Sequence, residues 1–85
     1  MVFFVYLVEC SDGSYYCGYT KDLDTRLNAH NTGKASKYTR SRRPVKLVYC
    51  EEKKNLSDAL RREREIKSFS HTKKHLLIHT KKFKY

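Results

Sequence analysis

With 85 residues, the chain has room for one compact domain and one site, spanning 1–85, and none for a second module. Hydrophobic residues make up 39% of it and charged residues 33%, so a core can form beneath a heavily charged surface. Nineteen Lys and Arg against nine Asp and Glu leave a net charge of +10, which favours a polyanionic partner, nucleic acid before acidic lipid; a membrane helix is excluded because no apolar run approaches the length that would span.

Taken in chain order, residues 2–10 form a nearly continuous apolar run. No positive region precedes it and no small-residue cleavage site follows, so it reads as a strand and not a signal peptide. Cys10, Cys17 and Cys50 lie in apolar stretches without a CxxC pair, which implies reduced, packed thiols in a cytoplasmic protein. S-D-G then supplies turn chemistry, and the aromatic, β-prone residues 15–20 complete a hairpin. Its register decides whether Tyr6 and Tyr16 meet. A two-residue Asp12-Gly13 turn would pair Cys10 with Tyr15 and put the phenols on opposite faces. A three-residue Ser11-Asp12-Gly13 loop, with glycine left-handed, sets Tyr16 opposite Val8 and both phenols on one face; this second register is predicted.

Asp22 to Asn31, with Leu23 and Leu27 one turn apart and Gly33 just beyond, predicts a first helix. Lys34, Lys37, Arg40, Arg42, Arg43 and Lys46 follow without an acidic residue among them, as a basic loop that Pro44 ends. Val45 to Cys50 reads as a third strand before Glu51 and Glu52. Asn55 or Ser57 caps a second helix to about Lys67, and Ser70 a third over roughly His71 to His79, leaving a basic tail over about 80–85. The order ββαβαα makes the chain α+β, with three helices.

On a helical wheel Leu56, Ala59, Leu60 and Ile66 mark a buried stripe, and Glu63 falls on it, whereas Arg61, Arg62, Arg64 and Glu65 reach solvent. A carboxylate there needs a cation, either a core-facing arginine or a divalent metal, unless its side chain bends out at the rim. Arg26 and His30, four apart, share a face beside the apolar residues of the first helix. Together they could form a phosphate clamp and a proton-handling group, or simply an exposed pair. His71, His75 and His79 recur every fourth residue, but ligands strung along two turns diverge too far for one tetrahedral ion, so a solvated or nucleic-acid-facing role is expected for them. Basic residues of the loop and the third helix, Lys34, Lys37, Arg40, Arg42, Arg43, Lys73 and Lys74, are the expected phosphate contacts.

V-Y-L in the first strand, Y-C-G with its tyrosine ten residues after Tyr6, Arg26 with His30, and Glu63 in a late helix together resemble the GIY-YIG nuclease superfamily over nearly the whole chain. S-K-Y-T-R-S-R-R-P-V-K-L-V-Y and A-L-R-R-E-R-E-I-K resemble its short stand-alone bacterial members, related to the N-terminal nuclease of the excision-repair endonuclease. The resemblance implies a three-stranded antiparallel sheet flanked by helices. It also implies Mg²⁺- or Mn²⁺-dependent phosphodiester hydrolysis, of DNA before RNA, in repair or recombination, leaving a 5′-phosphate and a 3′-hydroxyl. By that likeness Glu63 holds the ion, Arg26 lies at the scissile phosphate, Tyr6 is the first motif's tyrosine, Tyr16 with Gly18 belongs to the second, and His30 falls where relatives carry His or Tyr. Of the two phenols Tyr6 is taken as the base for the attacking water and Tyr16 as orienting water or phosphate, and the reverse assignment also fits the sequence. Two positions depart from the pattern: Phe4 replaces the first motif's glycine, and Tyr19 stands where some relatives carry lysine. The rival expectations are a nucleic-acid-binding module without chemistry, or a nuclease subunit that depends on a protein partner.

Overall fold

The computed structural model describes residues 2–80. Strands β1 (Phe3–Glu9) and β2 (Tyr15–Thr20) are joined by the three-residue loop. The Gly13 N–H donates to the Cys10 carbonyl at 3.0 Å, the Cys10 N–H to the Ser14 carbonyl at 2.8 Å, and Gly13 takes φ +84°. Asp12 fixes the loop by accepting from the Ser14 backbone N–H and hydroxyl. Val8 therefore pairs with Tyr16 and Tyr6 with Gly18, and both phenols share a face as expected.

β3 (Lys46–Lys53) pairs antiparallel on the other side of β1, giving the order β2-β1-β3. It runs past Cys50 through the acidic pair, because Val5 and Phe3 still find partners in Glu51 and Lys53. Helices cover both faces, which explains the unbroken apolar run of β1. Val5 and Leu7 pack with Cys17, Tyr49, Ala59 and Ile66; Tyr6 and Val8 pack with Cys10, Leu23 and Val45 on the opposite side. Helix α1 (Leu23–Asn31) is capped by Asp22, whose carboxylate accepts the Thr25 N–H at 3.1 Å.

Among the described residues four helices flank the sheet instead of three, in the order ββααβαα. The additional one, α2 (Lys37–Arg40), lies inside the expected basic loop: Ser36 Oγ accepts from the Tyr38 and Thr39 N–H groups, and that cap replaces the apolar periodicity a four-residue turn cannot display. α3 (Leu56–Lys67) starts at the Asn55 cap and α4 (His71–Thr80) follows. Leu56 does not join the buried stripe; on the first turn of α3 it is 42% exposed, since a wheel fixes direction but not whether a neighbour waits there. α4 buries no residue completely. Leu77 and Ile78 rest against the α3 side of the core, the His71 Nε2–H donates to the Gly13 carbonyl at 3.0 Å, and His75 Nδ1 lies 3.1 Å from the Tyr15 hydroxyl. These histidines thus fasten the helix to the hairpin, a role the sequence did not suggest. The basic tail from residue 81 onward lies outside the described residues. Among them no helix is long and apolar enough to cross a membrane, and all three cysteines are unpaired.

Arg62 also departs from expectation. Instead of reaching solvent it turns onto β3 and grips Glu51 through Nε and Nη2, at 3.0 and 2.8 Å, with Tyr49 donating its hydroxyl to the same carboxylate and Lys53 beside it. Burial alone would raise the Glu51 carboxyl, but the hydrogen bonds from Arg62, Tyr49 and Lys53 outweigh it and hold the group at about 2, below its ordinary 4.5. A depressed carboxyl contributes stability that is present above pH 4.5 and lost as pH falls toward 2. Arg62→Ala removes the bidentate partner and leaves that carboxylate to Lys53 and Tyr49, and a loss of about 2 kcal/mol is expected in urea unfolding at pH 7, with acid unfolding moved to higher pH. A loss below about 1 kcal/mol would place the pair among ordinary surface bridges.

Candidate functional site

The site is built where the Tyr6 ring lies across Gly18 on the neighbouring strand. A β-carbon added at Gly18 would stand 2.6 Å from the Tyr6 hydroxyl oxygen, so glycine is required here for close approach and not for an unusual backbone angle. Passing over the glycine, Tyr6 brings its hydroxyl to the open edge of β2 while remaining 2% exposed. Its oxygen is 2.8 Å from His30 Nε2, and His30 Nδ1 is 2.8 Å from Thr39 Oγ1 on α2. His30 and Thr39 are buried at 1% and 0% exposure. Burial, with Tyr16 next, pushes the Tyr6 phenol well above its usual range, partly opposed by Arg26. Burial and then Arg26 push His30 below its usual range, so the imidazole is neutral near pH 7.

Tyr16 stands beside this pair, its ring edge-on to His30 at 5.2 Å between centroids and roughly parallel to Tyr38 of α2 at 6.0 Å. Arg42 lies 4.0 Å over the outer part of this stack, above the Tyr38 ring. In front is a cleft of about 640 Å³ lined by Tyr6, Tyr16, Gly18, Arg26, Lys34 and Glu63, with Tyr19 and Lys21 at one end. Arg26 is exposed on α1 one turn before His30, and among the described residues it has no ion-pair partner. The shared helical face therefore splits its two members: arginine at the rim, histidine behind Tyr6 and off the cleft wall.

Glu63 projects from α3 toward the same opening with its side chain 15% exposed, and its partner is Lys67, one turn on, at 3.4 Å. Burial and then Glu63 push the Cys17 thiol up to about 12, while Lys67 and Lys74 act against them. Four of the five expected site residues, Tyr6, Tyr16, Arg26 and Glu63, thus meet at one cleft, with Gly18 as its floor.

The expected phosphate contacts divide. Lys34 lines the cleft, and Lys37 and Arg40 are exposed nearby on α2. Arg42 instead bridges Asp12 at 3.0 Å and the Tyr38 carbonyl at 2.8 Å. Arg43 Nε donates to the Arg40 carbonyl at 2.8 Å and its Nη1 to that of Asn31 at 3.4 Å. These two arginines brace the loop, and Lys73 lies 4.2 Å over the Phe69 ring. Sequence reasoning missed Tyr38 and Thr39; the one signal was the Ser36 cap two and three residues before them.

Among the described residues no three His, Cys, Asp or Glu side chains cluster tightly enough to enclose a metal. Glu63 faces the cleft, while Asp22, also at its wall, is committed to capping α1. One carboxylate next to phenolic oxygens suits a hard divalent cation that takes its remaining ligands from phosphate and water, and it does not suit a resident zinc site.

Residues 2–76 match the family described as GIY-YIG catalytic domain. A UPF0213 protein of Staphylococcus aureus strain Mu3 is 55% identical over 75 residues, covering 88% of this chain and 92% of the relative. Two solution NMR structures are similar. A UPF0213 protein of Bacillus halodurans has 44% identity and a TM-score of 0.62 over 95% of this chain and 86% of its own. A protein of E. faecalis has 30% identity and a TM-score of 0.65 over 100% and 94%. The phenol carried across a glycine, the arginine and glutamate that converge on it, and a match through nearly all of the described residues have one common explanation: the chain belongs to the GIY-YIG catalytic domain family.

Proposed function

We propose that the cleft binds a phosphodiester of nucleic acid and hydrolyses it with the aid of a divalent ion that Glu63 would hold. The observation that carries this reading is the convergence of Arg26, Tyr6, Tyr16 and Glu63 on one opening in a protein of net charge +10. Glu63 would hold Mg²⁺ or Mn²⁺, which when bound neutralises charge on the phosphate and leaving oxygen. Arg26 offers its fork to the phosphate and stabilises the negative charge that grows there during attack. Tyr6 accepts a proton from the attacking water, and Tyr16 orients that water or the phosphate. A buried phenol is a poor base, since burial raises its pKa; the Arg26 charge opposes that rise. Lys34 and the exposed cations of α2 hold flanking phosphates, so binding is salt-sensitive and carries no sequence preference of its own. DNA is the expected polymer, in repair or recombination, and the protein is expected to work in the cytoplasm.

A second reading is a nucleic-acid-binding module, or a subunit that cuts only with a partner. It is favoured by the lone carboxylate: Glu63 already has Lys67 as a counter-ion, and among the described residues no three-ligand group stands near it. One experiment separates the two. Labelled single-stranded, duplex, flap and branched DNA and RNA are incubated with Mg²⁺ or Mn²⁺ and wild type or Glu63→Gln. Cleavage by wild type, lost by at least about a thousandfold in the variant with binding unchanged, supports hydrolysis. Binding by both without cleavage of any substrate supports the second reading.

A further inference from the structure

We infer that Thr39 is a positioning residue that fixes the tautomer of His30, so that Tyr6 presents lone pairs, and not its proton, to the cleft. The inference rests on the proposed hydrolytic reading for its catalytic consequence, though its structural half can be measured without substrate.

A chain of polar atoms runs inward from the cleft. The Tyr6 hydroxyl is 2.8 Å from His30 Nε2, His30 Nδ1 is 2.8 Å from the Thr39 hydroxyl, and that hydroxyl lies 3.4 Å from the Ser36 carbonyl. Only the last member has a fixed role, because a carbonyl oxygen can only accept. If Thr39 donates to Ser36, its lone pair accepts from His30 Nδ1–H. Nε2 is then bare and accepts the Tyr6 O–H, whose oxygen keeps its lone pairs toward the cleft. The opposite direction, with Thr39 donating to Nδ1, places the proton on Nε2, makes Tyr6 an acceptor from histidine, and aims its O–H at the substrate. That arrangement is a proton donor, unsuited to activating water.

The remaining surroundings leave Thr39 as the group that sets the direction. His30 is 1% exposed, Thr39 is 0% exposed, and among the described residues no buried side-chain nitrogen or oxygen lacks a partner. The charged group of α1 that influences both rings is Arg26, at the cleft rim; on the sheet side Tyr16 meets the His30 ring through its edge, and from α3 Glu63 acts on Tyr6. None of these hydrogen-bonds to Nδ1. In the relay, water gives one proton to the Tyr6 oxygen while the original Tyr6 proton passes to His30 Nε2. The hydroxide forms the new bond to phosphorus, and the 3′-oxygen leaves and is protonated by solvent. The imidazolium, held at Nδ1 by Thr39, returns its proton through Tyr6 to bulk water, so protons and electrons balance.

The test uses the whole chain with ¹⁵N-labelled histidine. Wild type should show His30 protonated at Nδ1 near pH 7, and Thr39→Val, which keeps shape but removes the acceptor, should shift it toward the Nε2–H form; Thr39→Ser should restore the wild-type pattern. With substrate and Mg²⁺ or Mn²⁺, Thr39→Val should lower single-turnover cleavage about a hundredfold at pH 7, with the deficit shrinking as pH rises and serine rescuing it. A merely structural threonine would lower the melting temperature while leaving the tautomer and the pH profile of the folded fraction unchanged. His30 found with its proton on Nε2 in wild type would overturn the inference, as would valine leaving both tautomer and rate unaltered. Failure of wild type to cleave anything, with the tautomer as expected, would remove the hydrolytic reading and keep the tautomer assignment.

Discussion

Gly18→Ala is expected to disable the site more thoroughly than its single added methyl group suggests. An alanine β-carbon would meet the Tyr6 oxygen at 2.6 Å, Cζ at 2.8 Å and Cε2 at 3.1 Å, all on one rigid ring. The ring has no free direction to retreat: it is 2% exposed, packed with Val8, Leu23 and Val45, and tied to His30. Overpacking of this kind costs on the order of 1–3 kcal/mol, and any movement that relieves it breaks the Tyr6 to His30 hydrogen bond. Because displacement by about 1 Å can cost a hundredfold in rate, cleavage should fall by at least that factor even in molecules that remain folded. A double-mutant cycle checks the cause. Tyr6→Phe removes the oxygen of the closest contact but leaves Cζ, so it should recover part of the stability lost by Gly18→Ala; Tyr6→Leu should recover more. Strictly additive losses would show that the glycine serves some purpose unrelated to Tyr6.

The parts of the fold legible in sequence were those with a local rule behind them. Loop length dictated the hairpin register, and through it the shared face of Tyr6 and Tyr16. Asp22 opened the expected first helix, where the structure makes it the cap, and of the two caps expected for the next helix, Asn55 and Ser57, the structure uses Asn55. α2 was hidden because four residues are too few for periodicity, and because K-Y-T-R reads as charge when only its composition is considered. The wheel aimed Glu63 correctly but misjudged its neighbours: Leu56 lies uncovered, and Arg62 curls back onto Glu51, which sits eleven residues away on another element. Arg42 and Arg43 turned out to brace the loop for a related reason. Counting basic residues cannot reveal that loop carbonyls and Asp12 already engage part of each guanidinium.

The same distinction between charge that supports the fold and charge that faces outward singles out Arg26. It is the guanidinium at the cleft that has no partner among the described residues, on an exposed face of α1. Removing it should leave the fold alone, within about 0.5 kcal/mol in urea unfolding. Cleavage should nevertheless fall by about 10²–10³-fold, the usual cost of one preorganised donor at a developing negative charge. Two further readouts divide charge from geometry. Arg26→Ala should reduce the slope of log affinity against log salt by about one. Arg26→Lys should restore that slope while recovering little of the rate, since an ammonium keeps the charge but lacks the planar fork. The pH profile should move as well. Arg26 lowers the pKa of Tyr6 and of His30, so the alanine variant should require higher pH to reach the same fraction of its own maximum. If lysine matches arginine in rate, the site needs only a positive charge and the bidentate clamp is wrong. If alanine unfolds the protein, the residue belongs with Arg42 and Arg62 as a brace, and the cleft must find its phosphate ligand elsewhere.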